Sequence, residues 1–252
     1  MLHARVIPVL LLRNSGLVKT VEFNNPRYIG DPINAVKIFN DKEVDELTFL
    51  DINAFISDKG PNFQLLKDIS SEAFMPFSYG GGIRNLEDIK QLYGLGVEKI
   101  ILNSSIVKDH NIVSNTAAIA GSSGVVVSID VKCNRFGKSS VYTSGGKLNI
   151  NQDPVEYAIE MERLGAGEIL LNSINRDGMM TGYDLDLISK ISSSVSIPVV
   201  ACGGAGTLQD FREAVNSGAS AVAAGSMFVY HGKHQAVLIT YPEHKILDML
   251  FK

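Results

Sequence analysis

Two cysteines in 252 residues, Cys133 and Cys202, are too few for a disulfide framework or a metal-ligand cluster. Such sparing use fits a reducing compartment, so the expected location is the cytoplasm. Long apolar runs are also missing. The N-terminal VIPVLLL is short, broken by Pro8, and followed by Arg13 and Lys19 where a signal peptide would have a small-residue cleavage site. Nothing approaches the ~18 apolar residues of a membrane span. No charge of one sign dominates either. A net charge of −4 gives no general pull toward nucleic acid or an anionic membrane, so an anionic substrate must be held by local groups. The plentiful material is apolar, at 45%, which is ample for a core.

That apolar content is arranged as short runs alternating with amphipathic segments. Strands are expected at Arg5–Leu12, Glu46–Ile52, Met75–Tyr79, Lys99–Asn103, Val125–Asp130, Glu168–Ser173, Pro198–Cys202 and Ala221–Gly225. Helical patterns lie between them. DPINAVKIFN and DPVEYAIEMERLG each open with Asp-Pro, a capping residue followed by proline at the first helical position. NLEDIKQLYGLG and TLQDFREAVNSG begin with a capping residue and end in glycine. Eight such units predict an all-parallel sheet covered on both faces. Closure into a (β/α)8 TIM barrel, one domain over residues 1–252, fits the count and length, with an open doubly wound sheet as the alternative.

An internal repeat supports closure. Residues 75–107 align without gaps on 197–229, at an offset of 122, with eight of 33 positions identical. The shared order is strand, Gly-Gly, helix, Gly, strand, Ser, as expected of a half-barrel repeat. Gly81–Gly82 and Gly203–Gly204 end matched strands, and the next strands end in Asn103–Ser104 and Gly225–Ser226. Glycines let backbone N–H groups approach an anion, and a helix N-terminus adds partial positive charge. Two matched sites suit a substrate with a phosphate at each end; tight turns alone are the plainer explanation of each glycine pair. Asp51, Asp177 and Gly178 follow strands and point to the same face. Lys19 lies in a long segment, 13–30, and is either a charge on a mobile lid over the phosphate or a solvated surface lysine.

FLDI, YGGGIRNLED, VSIDVK, GAGEILLNS, NRDGMMTGYDL and ACGGAGTLQDF together resemble the cyclase subunit of imidazole glycerol phosphate synthase, over essentially the whole chain. The resemblance implies a barrel without cofactor or metal, paired with a glutaminase subunit. Ammonia from that partner would pass through the barrel to a bisphosphate ribonucleotide and yield imidazole glycerol phosphate. It assigns Asp130 as a catalytic acid/base. It assigns Arg5, Glu46, Lys99 and Glu168 as a charged gate on the ammonia path at the barrel bottom, with the glutaminase docking near Glu98 and Lys99. A stability cluster is the plainer reading of those four charges.

Two departures from the family pattern stand out. Leu11 occupies the strand-1 position of a second acid, and Asn175 stands where an acid is common. Leucine neither takes nor gives a proton, whereas ring closure needs both transfers. This thinning resembles a divergent branch found with surface-polysaccharide genes, in which a glutaminase and a sugar amidotransferase are the implied partners and the barrel serves as an ammonia conduit. His231 and His234 are read as surface groups, with docking or site roles as the alternative.

Overall fold

The computed structural model describes residues 4–54 and 60–252; the reading of one domain over 1–252 therefore takes in residues outside the described ones. Eight parallel strands form the frame: β1 (Arg5–Arg13), β4 (Leu47–Asp51), β5 (Phe77–Gly80), β6 (Lys99–Leu102), β7 (Val125–Cys133), β10 (Glu168–Ser173), β11 (Val199–Cys202) and β12 (Ala221–Ala224). They pair in that order, β12 returns to β1, and β7 pairs with β10. The ring is closed, which excludes the open sheet. Helices separate the strands, among them α1 (Pro32–Asp41), α2 (Phe63–Glu72), α3 (Leu86–Gly94), α4 (Ser104–Lys108), α5 (Ile112–Ala120), α6 (Pro154–Arg163), α7 (Leu185–Ser192), α8 (Leu208–Asn216), α9 (Ser226–Val229) and α10 (His244–Leu250). None of the described helices is long and apolar enough to cross a membrane.

The helix starts follow the capping chemistry of the sequence. The Asp31 carboxylate accepts from the Asn34 amide, and Asp153 accepts from those of Val155 and Glu156. Thr207 and Asp210 form a reciprocal capping box at α8. Each such cap contributes about 1 kcal/mol.

Strand periodicity then sorts the core into two layers. On β1, Val6, Leu10 and Leu12 pack outward against the helices, while Ile7, Val9 and Leu11 face the barrel axis. Arg5 continues that inward row at the N-terminal end, about 20 Å from Leu11 at ~3.3 Å per residue. The same alternation places Glu168, Leu170 and Asn172 on one inward row and Val126, Ser128 and Asp130 on another. Ile7, Val9, Ile101, Val126, Leu170, Val200, Ala221 and Ala223 fill the axis as one buried apolar cluster.

The repeat is visible element by element. β5, α3 and β6 recur 122 residues later as β11, α8 and β12 with identical lengths. Asp88 Oδ2 accepts from Arg84 N at 2.9 Å, and Asp210 Oδ2 accepts from Gly206 N at 2.8 Å, at the matched positions. Each half also carries an antiparallel hairpin that the periodicity did not reveal. β1 turns into β2 (Gly16–Val21) and β3 (Asn24–Gly30), and β7 into β8 (Ser139–Thr143) and β9 (Leu148–Asn149). The segment 13–30, one of whose two readings was a lid, is thus an antiparallel extension of the sheet. A third small hairpin, β13 (Tyr230–His231) with β14 (Ala236–Val237), follows α9.

Candidate active site

A cavity of about 370 Å³ opens at the C-terminal ends of the barrel strands. Lys19, Asp51, Gly81, Gly82, Asn103, Ser104, Asp130, Asp177, Gly178, Gly203, Gly204, Gly225 and Ser226 all line it. The side chains expected at the site from sequence are therefore gathered in one place. Asn175 is not: its Oδ1 accepts from Cys133 N at 2.8 Å and pins the root of the β7–β8 hairpin. His231 and His234 are exposed and lie outside the cavity lining.

The two glycine pairs sit on opposite walls, since β5 and β11 are four strands apart in a ring of eight. Gly81 has φ +132, and a Cβ there would lie 2.4 Å from the Asp51 carbonyl oxygen. Gly203 has φ +82, and a Cβ would lie 2.6 Å from Asn172 Oδ1 and 2.7 Å from the Ser173 carbonyl oxygen. Each glycine lets its loop fold tightly against the preceding barrel strand. A side chain at either place would fill that approach and adopt a costly left-handed backbone.

Asp130 stands on the inward face of β7, buried at the floor of this cavity. Ser128 Oγ donates to Oδ1 at 3.1 Å and Asn103 Nδ2 to Oδ2 at 3.3 Å. Burial pushes its pKa up to about 7; the Ser128 hydrogen bond opposes that shift and the Asp177 charge adds to it. Asp130 is thus poised between proton acceptor and donor near neutrality. Leu11, 8% exposed, lies on β1, diametrically opposite β7. No second carboxylate faces Asp130 from that strand.

Lys19 is buried at 6% exposure, which excludes the solvated-surface reading. Its Nζ donates to the Val9 carbonyl at 3.0 Å. Burial lowers its pKa, against the favourable charge of Asp177. The ammonium reaches across to β12: a Cβ on Gly225 would fall 1.6 Å from Nζ. Gly225 is therefore the slot that admits the lysine. Asp177 anchors the same hairpin, accepting at Oδ2 from Thr20 Oγ1 at 2.7 Å and from Phe23 N at 3.2 Å. Across the cavity, Ser104 Oγ accepts from Ser144 N at 2.9 Å, which fastens the β8–β9 turn. The two hairpins meet overhead, where a Cβ on Gly146 would be 3.0 Å from the Phe23 ring. Asp51 Oδ1 caps the turn below, accepting from Asn53 N and Ala54 N at 2.9 Å; burial raises its pKa and these bonds oppose the rise.

Sequence reasoning overlooked Ser128, Asn172 and Cys202. Ser128 was findable, two residues before Asp130 and hence on the same face. Asn172 is Asp130's neighbour in the β7–β10 register, and its buried Oδ1 has no hydrogen-bond partner among the described residues. Cys202 is buried and unpaired, its thiol pushed up to about 12 chiefly by that burial and so inert.

At the opposite end, Arg5, Glu46, Lys99 and Glu168 form a closed ring of alternating charge. Lys99 Nζ lies 2.9 Å from both Glu46 Oε2 and Glu168 Oε2, and Arg5 hydrogen-bonds the other oxygen of Glu168 together with Glu46. Burial works against the Arg5 charge, but the two glutamates outweigh it and raise its pKa.

The closed ring of eight parallel strands, with its cavity at their C-terminal ends, makes this a (β/α)8 barrel. The chain belongs to the histidine biosynthesis protein family, which matches residues 5–235. It is 48% identical over 250 residues, 99% of this chain and all of the relative, to a Pseudomonas aeruginosa protein provisionally named imidazole glycerol phosphate synthase subunit hisF2. A Leptospira interrogans protein with a similarly provisional name is 47% identical over 256 residues, the whole of both chains. The imidazole glycerol phosphate synthase subunit HisF of Alkaliphilus metalliredigens is 41% identical over 232 residues, 92% of each chain.

Proposed function

We propose that this chain is the barrel subunit of an imidazole glycerol phosphate synthase-type complex, supplied with ammonia by a glutaminase partner at the charged ring. The supporting observation is the cavity itself: two glycine-walled rims face each other, with the buried carboxyl of Asp130 on the wall between them. The rims suit the two phosphates of a bisphosphate ribonucleotide, with the Lys19 ammonium serving the second-half rim. Asp130 near pKa 7 would take up the proton that the adduct sheds once ammonia has attacked. The ring of Arg5, Glu46, Lys99 and Glu168 would have to open for ammonia to enter, and the aliphatic axis would carry the neutral molecule in preference to ammonium.

A second reading is favoured by Leu11. With an alkyl group opposite Asp130, one of the two proton transfers of ring closure has no carrier, and loss of such a group costs ~10²–10⁴ in rate. In this reading the barrel passes ammonia to an electrophile such as a surface-polysaccharide sugar carboxyl, activated and amidated by another enzyme. Two of the relatives described above carry only provisional synthase names, in keeping with a diverged activity.

Turnover of the bisphosphate ribonucleotide with ammonium salts at high pH separates the two. Rapid product formation by the wild-type chain supports the cyclase and removes the second reading. Silence that yields to Leu11→Asp supports ammonia delivery. Silence in both proteins, together with failure to stimulate any glutaminase, would refute the proposal.

A further inference from the structure

The two halves of the repeat line the cavity with unlike walls. At the level of Asp130 three consecutive strands are polar: Asn103 follows β6, Asp130 lies on β7 and Asn172 on β10, and all three line the cavity. Asp130 and Asn172 are register partners. Their counterparts in the first half are Leu11 on β1 and Leu50 on β4, which are register partners in the same way. In the ring β1 stands opposite β7, and β4 opposite β10, so an alkyl wall faces the polar one.

That alkyl wall is open to the cavity. Leu11 belongs to the axial cluster, and Leu50 and Ile52 pack on it. All three line the cavity, and Leu50 and Ile52 are only half-buried. Polar groups near this wall turn away from it or lie at its edges. Asp51 directs its carboxylate to the Asn53 and Ala54 amides. Lys19 Nζ is held by the Val9 carbonyl, on the β12 side of Leu11. Arg13 is two residues beyond Leu11 on the same inward row, about 7 Å further along the strand. It is exposed and lines the cavity, so this side presents a guanidinium at the rim and an alkyl surface beneath it.

A hydroxyl turned toward such a wall gives up its water partner and gains none, whereas a methyl or methylene gains by leaving water. We propose that Leu11, Leu50 and Ile52 determine substrate specificity by seating an alkyl portion of a phosphorylated substrate, with its anionic group at the rim beside Arg13. The opposite edge of that substrate carries its hydrogen-bonding and proton-exchanging groups toward Asp130 and Asn172. Leu11 is then a binding group gained as well as an acid lost. The substrate is less hydroxylated on that side than the sugar of a bisphosphate ribonucleotide. The inference rests on the phosphate reading of the rims and adds what the first-half wall selects.

The test compares n-propyl phosphate with glycerol 3-phosphate, which share a three-carbon phosphate monoester and differ by two hydroxyls. Their dissociation constants, and that of inorganic phosphate, are measured by calorimetry on the full-length chain and on its Leu11→Asn and Ile52→Thr variants. The wild-type chain is expected to bind n-propyl phosphate about tenfold more tightly than glycerol 3-phosphate, with excess inorganic phosphate displacing both. Leu11→Asn should narrow that ratio below about threefold, and Ile52→Thr should narrow it in part. Inorganic phosphate should bind all three proteins alike. Melting temperatures verify the folds, and Ile52→Thr, which keeps a branched side chain of similar shape, carries the comparison if Leu11→Asn does not fold. Equal affinities for the two esters, a preference for glycerol 3-phosphate, or a ratio unchanged in every folded variant would overturn the assignment. Binding of all three anions without an alkyl preference defeats this inference alone. Binding of none defeats the phosphate reading of the rims, and this inference with it.

Discussion

The two halves of this barrel share a scaffold and differ at their rims. β5–α3–β6 and β11–α8–β12 repeat in length, capping and glycine placement, and each half opens with a strand that runs on into a hairpin. At the C-terminal ends the correspondence breaks. Asp130 on β7 faces Leu11 on β1, and Asn103 after β6 corresponds to Gly225 after β12. Asn103 fills its place with an amide bonded to Asp130, while Gly225 leaves its place open for Lys19 from another strand. The lower ring is also unequal: Glu46 and Glu168 are mates, but the mate of Lys99 is Ala221. The scaffold tolerates one-sided change because backbone pairing and outward packing hold the strands in position, whichever side chains tip them.

The sharpest way to probe that inequality is at its centre. Asp130→Asn is expected to abolish any ammonia-dependent turnover, a loss of ~10²–10⁴ measured as kcat with ammonium salts. Leu11→Asp restores two-fold character. It should turn a rate that rises once, with a midpoint near pH 7, into a bell-shaped profile, because two groups then titrate. A single rising limb in Leu11→Asp would show that the added carboxylate takes no part.

Stability offers the next contrast. The folded pKa of Asp130, about 7, lies above the ordinary carboxylate value of 3.8, so the folded chain binds the extra proton between them. Stability is therefore fullest below pH 4 for this group and declines as pH rises toward 7, by at most about 4 kcal/mol. Asp130→Asn should remove that slope in denaturant titrations at pH 4.5 and 8. An unchanged slope would place the burden on other groups.

Smaller effects are expected at the ring and the slot. Lys99→Met leaves two buried glutamates to share Arg5. Because Lys99 and Arg5 are partly exposed, the expected cost is about 1–3 kcal/mol, well below a fully buried pair. If the ring gates ammonia, the variant should also hydrolyse glutamine without using the product; intact coupling would reduce the ring to a structural clasp. Least costly is Gly225→Ala. Its φ is ordinary and the obstructing atom is the end of a flexible lysine, so stability should change by less than about 1 kcal/mol. Lys19 must nevertheless leave its slot, and inorganic phosphate should bind several-fold more weakly. Gly203→Ala, with a left-handed φ and fixed neighbours, should cost more, about 1–3 kcal/mol. Equal costs for the two alanines would contradict the assigned difference between slot and turn.

Much of the molecule was legible in the chain. Eight apolar runs, Asp-Pro and Thr-x-x-Asp helix starts, and an ungapped repeat determined the strands, the caps and the closure, because these depend on local geometry and on a period of two or 3.6. The inward rows that carry Arg5 and Leu11, or Glu168 and Asn172, were likewise fixed by strand alternation. Tertiary structure alone decided the rest. The hairpins after β1 and β7 escaped notice because short polar strands gain their hydrogen bonds from a distant edge and not from their own pattern. The burial of Lys19 depends on a missing side chain at residue 225, and the pKa of Asp130 on enclosure by other strands. Solvent exclusion and charge are sums over neighbours in space, and a linear sequence names the neighbours only after the barrel has closed.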